Sequence, residues 1–278
     1  EIDSRGGTHR YTSYQIFTEW SHRGLVAVIG ILVAYSHYTA WSLRDKIGNR
    51  VYRIHFVSSM FLILQAVLGY VTVDLDNAPW TVSLHLFMAL IFTISLITVG
   101  LIWWQEQSGL PESFRILGIS KRLKKYIWYL TLIVLLQLMI GAYLSTSYHR
   151  AACDMGFYKG WPLCQNSMLP ALKQFGIMLN YGHRLSALAV AGLLYYLWRE
   201  TKNEIKDSGN IIEKMINLTI GFYGINILLG GLYVITAVDG VFLGWISLIH
   251  LLVGACVFLT LASAYVIASL TERKHVAS

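Results

Sequence analysis

Charge is what this chain has least of: Asp, Glu, Lys and Arg together make up 13% of its 278 residues, while 55% are hydrophobic. A soluble domain keeps about a quarter of its residues charged, and a soluble α-solenoid would show polar faces at a 3.6-residue period. Both classes are excluded. Thiols are also scarce, at three, and do not cluster, which argues against a closed structural zinc site with its four ligands. No Gly-Pro break or midplane carboxylate interrupts the apolar stretches, which sets aside transporters built from broken helices. No secretory signal is visible, and the sequence opens on Glu1 rather than Met.

What remains is apolar sequence in long runs, with a mean hydropathy of +0.53. A helix rising about 1.5 Å per residue crosses a hydrocarbon core of about 30 Å in roughly 20 residues. Stretches near that length fall at 22–42, 51–73, 79–104, 124–146, 175–198, 211–236 and 243–269. Trp41, Trp80, Trp103, Trp104, Trp128, Trp198 and Trp245 sit at their ends, where amphipathic rings favour the membrane interface. The expected fold is an all-α polytopic membrane protein with seven transmembrane helices.

The net charge of +7 is segregated by loop. Arg44, Lys46, Arg50 and Arg53 follow the first stretch, Arg115, Lys121, Arg122, Lys124 and Lys125 the third, Arg199, Lys202, Lys206 and Lys214 the fifth, and Arg273 and Lys274 the last. The loops at 74–80 and 237–241 contain no Lys or Arg. The positive-inside rule puts the visible N-terminus outside and the C-terminus in the cytoplasm. The charge is a topology signal facing lipid, not a nucleic-acid footprint.

The chain also matches itself. At a displacement of 161, His22-Arg23 falls on His183-Arg184, Gln65 on Asn226 and Gly69 on Gly230; His85 falls on His250 at 165, since one connection is four residues longer. The fourth stretch, with Gln137-x-x-x-Gly141 echoing Gln65-x-x-x-Gly69, opens the second half. An equivalent helix is expected before residue 1. The architecture predicted is two pseudo-symmetric four-helix bundles: a half-bundle at 1–105, a cytoplasmic linker at 106–123 and a four-helix bundle at 124–278. The glycines read as sites of close helix packing.

His22, His85, His183 and His250 all fall in the outer third of the membrane on inward-running stretches. Ionisable groups at that depth require a partner, and two imidazoles from facing helices can clamp a porphyrin iron. The repeat supplies one pair per half, His22 with His85 and His183 with His250. Arg23 and Arg184 can pair with heme propionates or snorkel to lipid phosphates. His37, His55, His149, His9 and His275 receive no ligand role.

The halves differ where Glu19-Trp20-Ser21-His22 becomes Asn180-Tyr181-Gly182-His183. Glu19 can move protons or simply favour a helix start. It marks the first half as the reacting site and the second as the seat of a resident cofactor. Cys153 and Cys164 share the long outer loop, where they can form a pinning disulfide or a redox pair; Cys256 reads as a small core residue.

Glu-x-x-His-Arg at 19–23, Gly-His-Arg at 182–184, Ser-Leu-His85, Leu-Ile-His250 and Trp161-Pro162-Leu163-Cys164 together resemble the heme A synthase family over essentially the whole chain. The resemblance implies a membrane enzyme of eight helices that oxidises a methyl group of heme O to the formyl group of heme A by successive hydroxylations. It implies heme b on His183 and His250, the substrate heme near His22 and His85, and catalytic importance at Glu19. It also implies heme O synthase and cytochrome oxidase assembly factors as partners, in a bacterial or archaeal cell membrane or the mitochondrial inner membrane. The rival from another class is a diheme b-type electron carrier, which would use the same histidines without needing Glu19.

Overall fold

Apolar sequence that meets hydrocarbon must satisfy its own backbone hydrogen bonds, and helices do so within one segment. A computed structural model describes residues 13–109, 114, 119–205 and 210–276. Apart from isolated bridges in two loops, the regular structure there is helical. The helices are α1 (Ser13–Ser42), α2 (Arg44–Ile47), α3 (Asn49–Asp74), α4 (Pro79–Gln107), α5 (Lys121–Thr146), α6 (Phe175–Glu204), α7 (Ile211–Ile235) and α8 (Gly244–Val276). Residues 110–113 and 115–118 of the expected linker, Arg115 among them, lie outside the described residues, as do His9 and Lys206.

Each apolar stretch falls on one long helix, and several helices run on into polar sequence, α1 starting at Ser13 and α6 ending at Glu204. Apolarity reports the lipid-facing part, while the backbone ladder continues until a residue stops it. Pro79 opens α4, where its missing N–H is no loss. The Ser120 side chain accepts from Leu123 N to start α5, and Asn210 accepts from Ile212 N to start α7.

Among the described residues six helices are long and apolar enough to span a membrane: α1, α3, α4, α5, α7 and α8. This makes the chain an integral membrane protein. The exception, α6, carries Asn180, His183, Arg184, Arg199, Glu200 and Lys202, and their polarity lowers its hydropathy. Its apolar residues Val190, Leu194 and Leu197 are buried.

Helices α5, α6, α7 and α8 pack in a closed cycle, each on the next and α8 back on α5. Their shared core holds Leu123, Ile127, Leu194, Ile216, Val257 and Leu261. In the first half α1 packs on α3 and α3 on α4, and α4 seats on both α5 and α8. Val51, Ile102 and Leu270 close the junction of α3, α4 and α8.

Candidate functional site

Glycine and a polar residue four positions before it lie one above the other on a helix face. Three helices carry that pair, and each presents it to a histidine of its neighbour. A Cβ added at Gly69 on α3 would stand 3.0 Å from Cε1 of His85 on α4. The same distance separates Gly141 on α5 from His183 on α6, and Gly230 on α7 from His250 on α8. Only glycine lets the imidazole lie this close to a neighbouring backbone. These glycines, read from the sequence as helix-packing sites, pack specifically on the imidazoles.

The polar members of the pairs reach the same rings. Gln65 Nε2 is 3.2 Å from His85 Nε2. Gln137 Nε2 is 3.1 Å from His183 Nδ1 and also donates to His183 O at 2.9 Å, while Ser186 Oγ donates to Gln137 Oε1 at 2.6 Å. His250 Nδ1 donates to the backbone carbonyl of Asn226 at 2.9 Å. His85 and His250 occupy the same register, each six residues past its helix start, Pro79 and Gly244 respectively.

The structure brings His22 within electrostatic reach of His85, and His183 within reach of His250. His22 is exposed on α1. Glu19 and Arg23, also exposed, form an ion pair with Arg23 Nη2 donating to Glu19 Oε1 at 2.6 Å. Arg184 is engaged differently from Arg23: its Nη1 donates to the carbonyls of Gly160 and Leu163. Its Nη2 is buried without a partner.

Those carbonyls belong to the long loop between α5 and α6, which is folded down over the second half. Cys153 and Cys164 are joined in a disulfide and both are buried. The indole of Trp161 lies against Gly231 of α7, 2.9 Å from where a Cβ would stand, and Gly156 N donates to Val234 O. Asn180, 3% exposed, donates Nδ2 to His149 O and Arg150 O at 3.3 and 3.0 Å. The amide in place of Glu19 thus has a task of its own, since a carboxylate could not donate to two carbonyls.

Asn180→Asp is expected to set a buried carboxylate against two carbonyl oxygens, costing about 1–3 kcal/mol or more and loosening the loop. Limited proteolysis across residues 157–170 would register it as faster cleavage. Unaltered cleavage would show that the anchor does not hold the loop.

His37 and His55 meet away from these pairs, between α1 and α3. Ser59 Oγ lies 2.9 Å from His37 Nδ1 and 3.4 Å from His55 Nδ1, and Ser36 Oγ lies 2.6 Å from His55 Nε2. A serine hydroxyl thus lies within hydrogen-bond distance of each ring. His149 packs under the loop against Phe175, and Cys256 is a free, half-buried cysteine of α8.

A porphyrin needs facing imidazoles, flat access to them and donors for its carboxylates. The residues present fit: His85, His183 and His250 are each backed by a glycine, and the buried Nη2 of Arg184 has no partner next to His183. Among the described residues no three His, Cys, Asp or Glu converge.

Residues 4–262 match the model of the family COX15-CtaA, described as cytochrome oxidase assembly protein. A heme A synthase of Symbiobacterium thermophilum is 29% identical over 189 residues, covering 66% of this chain and 59% of that protein. One from Exiguobacterium sp. is 23% identical over 223 residues, 79% of this chain and 68% of the relative. A third, from Bacillus pumilus, is 26% identical over 181 residues, 65% and 55%. The chain therefore spans about six tenths of the first of these relatives.

Proposed function

Since the chain belongs to the COX15-CtaA family of cytochrome oxidase assembly proteins, we propose that it oxidises the methyl group of heme O to the formyl group of heme A by successive hydroxylations. The observation that carries this reading is the threefold glycine cradle, which sets imidazoles in both halves of a membrane chain of this family.

In this reading His183 and His250 hold heme b as a resident cofactor, with Arg184 Nη2 facing a propionate. When bound, heme b supplies one-electron redox chemistry through its iron. The disulfide-bonded loop, held by Asn180 and Arg184, keeps water from the second half. His22 and His85 position the substrate heme O, and Arg23 fixes the carboxylate of Glu19 through Oε1, which leaves Oε2 to accept a proton. Arg23 also offers a positive group to the substrate's carboxylates.

The finer architecture belongs to the same proposal. Residues 1–105 form the substrate half, 106–123 a cytoplasmic linker and 124–278 a four-helix bundle around heme b. The seven long helices all span the bilayer, with the visible N-terminus outside and the C-terminus in the cytoplasm. The basic loops support that orientation. Heme O synthase and oxidase assembly factors are the expected partners in a bacterial, archaeal or mitochondrial inner membrane.

His183→Ala and His250→Ala are each expected to alter the low-spin heme spectrum of the purified protein, because either change removes one axial nitrogen. Spectra that stay unchanged in both variants would rule out this ligand pair.

A further inference from the structure

We propose that His37 and His55 form a binding site for a divalent transition-metal cation of the zinc class, bridging α1 and α3. The site is separate from the four histidines assigned to heme. It is marked by a second place where the two halves of the chain differ.

In the register that lays His22 on His183 and Gln65 on Asn226, Ser36, His37, His55 and Ser59 fall on Leu197, Trp198, Ile216 and Ile220. Leu197 and Ile216 are part of the second bundle's core, and Trp198 and Ile220 pack against it. Between the same two helices the first half replaces this apolar seam with two imidazoles and two hydroxyls. His55 is buried, and polar groups set between membrane helices are unfavourable unless they have a partner.

The cluster converges on one point. His37 Nδ1 and His55 Nδ1 lie 2.9 and 3.4 Å from the same atom, Ser59 Oγ, and the two ring centroids are 5.7 Å apart. Ser59 Oγ has another acceptor within reach on its own helix, His55 O at 3.1 Å. Turned toward that carbonyl, the hydroxyl leaves the shared point to a cation. Behind the ring, Ser36 Oγ lies 2.6 Å from His55 Nε2. With Ser36 accepting from Nε2–H, His55 Nδ1 keeps its lone pair for the metal, the outer contact that orients a ligating imidazole.

Neutral imidazoles suit Zn2+, Ni2+ or Cu2+, whereas Mg2+ and Ca2+ take oxygen ligands. Among the described residues no carboxylate, thiol or third imidazole joins the pair. The site is therefore of the open kind, with water completing the coordination, rather than a closed structural one. Both histidines lie within two turns of where α1 ends and α3 begins, close enough to the connecting basic loop for a hydrated cation to enter. One ligand comes from each helix, so the cation ties α1, which carries Glu19 and His22, to α3.

The test is Zn2+ uptake by the purified, heme-replete full chain without a histidine tag, after chelation and desalting, read by equilibrium dialysis and elemental analysis. The parent is expected to hold one equivalent more than His37→Gln, His55→Gln or the two combined. Ser36→Ala should keep the site but weaken it by about 10- to 100-fold, the usual effect of losing an outer partner. His55→Ile with Ser59→Ile supplies the side chains that the second half packs at these positions; it should lose the equivalent and leave the heme spectrum unchanged. Cu2+ in place of Zn2+ should show electron paramagnetic resonance splitting from two nitrogens in the parent and from one in either single histidine variant. A parent that takes up no more Zn2+ than the double histidine variant, both with the same heme spectrum, would overturn the proposal and leave the cluster a hydrogen-bonded helix seam.

Discussion

Glu19→Gln is expected to leave the porphyrin content of the protein unchanged while conversion of heme O to heme A falls by about 10²- to 10⁴-fold, the range a positioned acid–base group contributes. The substitution keeps the shape of the side chain and its ability to accept from Arg23, and removes only the capacity to take a proton. Folding should tolerate it, since an exposed i,i+4 ion pair contributes about 0–1 kcal/mol and both side chains here are about half exposed. The first turn of α1 contains no acidic residue, so Glu19 lies too far into the helix to serve mainly as a complement to its dipole. Chromatography and mass spectrometry of extracted pigments give the readout. A diheme electron carrier has no use for this carboxylate, so undiminished heme A formation would remove Glu19 from the mechanism and favour that rival.

The second large effect is expected at the cradles. Gly230→Val and Gly141→Val should each weaken heme retention in the second half by about 5- to 150-fold, the consequence of overpacking by roughly 1–3 kcal/mol. A Cβ at either position stands 3.0 Å from an imidazole carbon. The ring must turn away or the two helices must part, and both moves spoil the aim of the ligating nitrogen. Gly182→Ala is the control, adjacent to His183 yet with nothing within 4 Å of an added Cβ; it should retain heme as the parent does. Soret absorbance per mole of purified protein measures all three. Full retention in both valine variants would mean that the cradle does not position the ligands.

The long helices were legible because lipid imposes a simple demand, apolar surface over a fixed length, and six of the seven stretches between 22 and 269 meet it. The stretch on α6 does not, because polar groups such as Asn180, His183 and Arg184 share that helix with its apolar residues. The pairing of Cys153 with Cys164 also agrees with one of the two readings open at the sequence level.

What sequence could not supply was rotational phase between helices. Gly69, Gly141 and Gly230 were visible as an echo, but that each faces a histidine depends on how α3, α5 and α7 turn against their neighbours. The repeat held the signal, since Gln-x-x-x-Gly at 65–69 and 137–141 recurs as Asn226-x-x-x-Gly230 in the helix before or beside each histidine. Likewise the Glu19/Asn180 contrast was read only as a carboxylate lost. That Asn180 bonds the carbonyls of residues 149 and 150 depends on a loop whose path the sequence leaves open. The serines around His37 and His55 join two helices and were equally out of view.

The seating of α4 directly on α8 places the helices that carry His85 and His250 side by side at matching registers. In the proposed arrangement an electron passing between the two hemes travels sideways, parallel to the bilayer plane. Transmembrane voltage acts only on charge moved along the membrane normal, at about 2.3 kcal/mol per charge per 100 mV, so that transfer would neither consume nor generate a membrane potential. Electron exchange between the halves in sealed vesicles should therefore be insensitive to an imposed voltage, and a clear voltage dependence would place the two macrocycles at different depths.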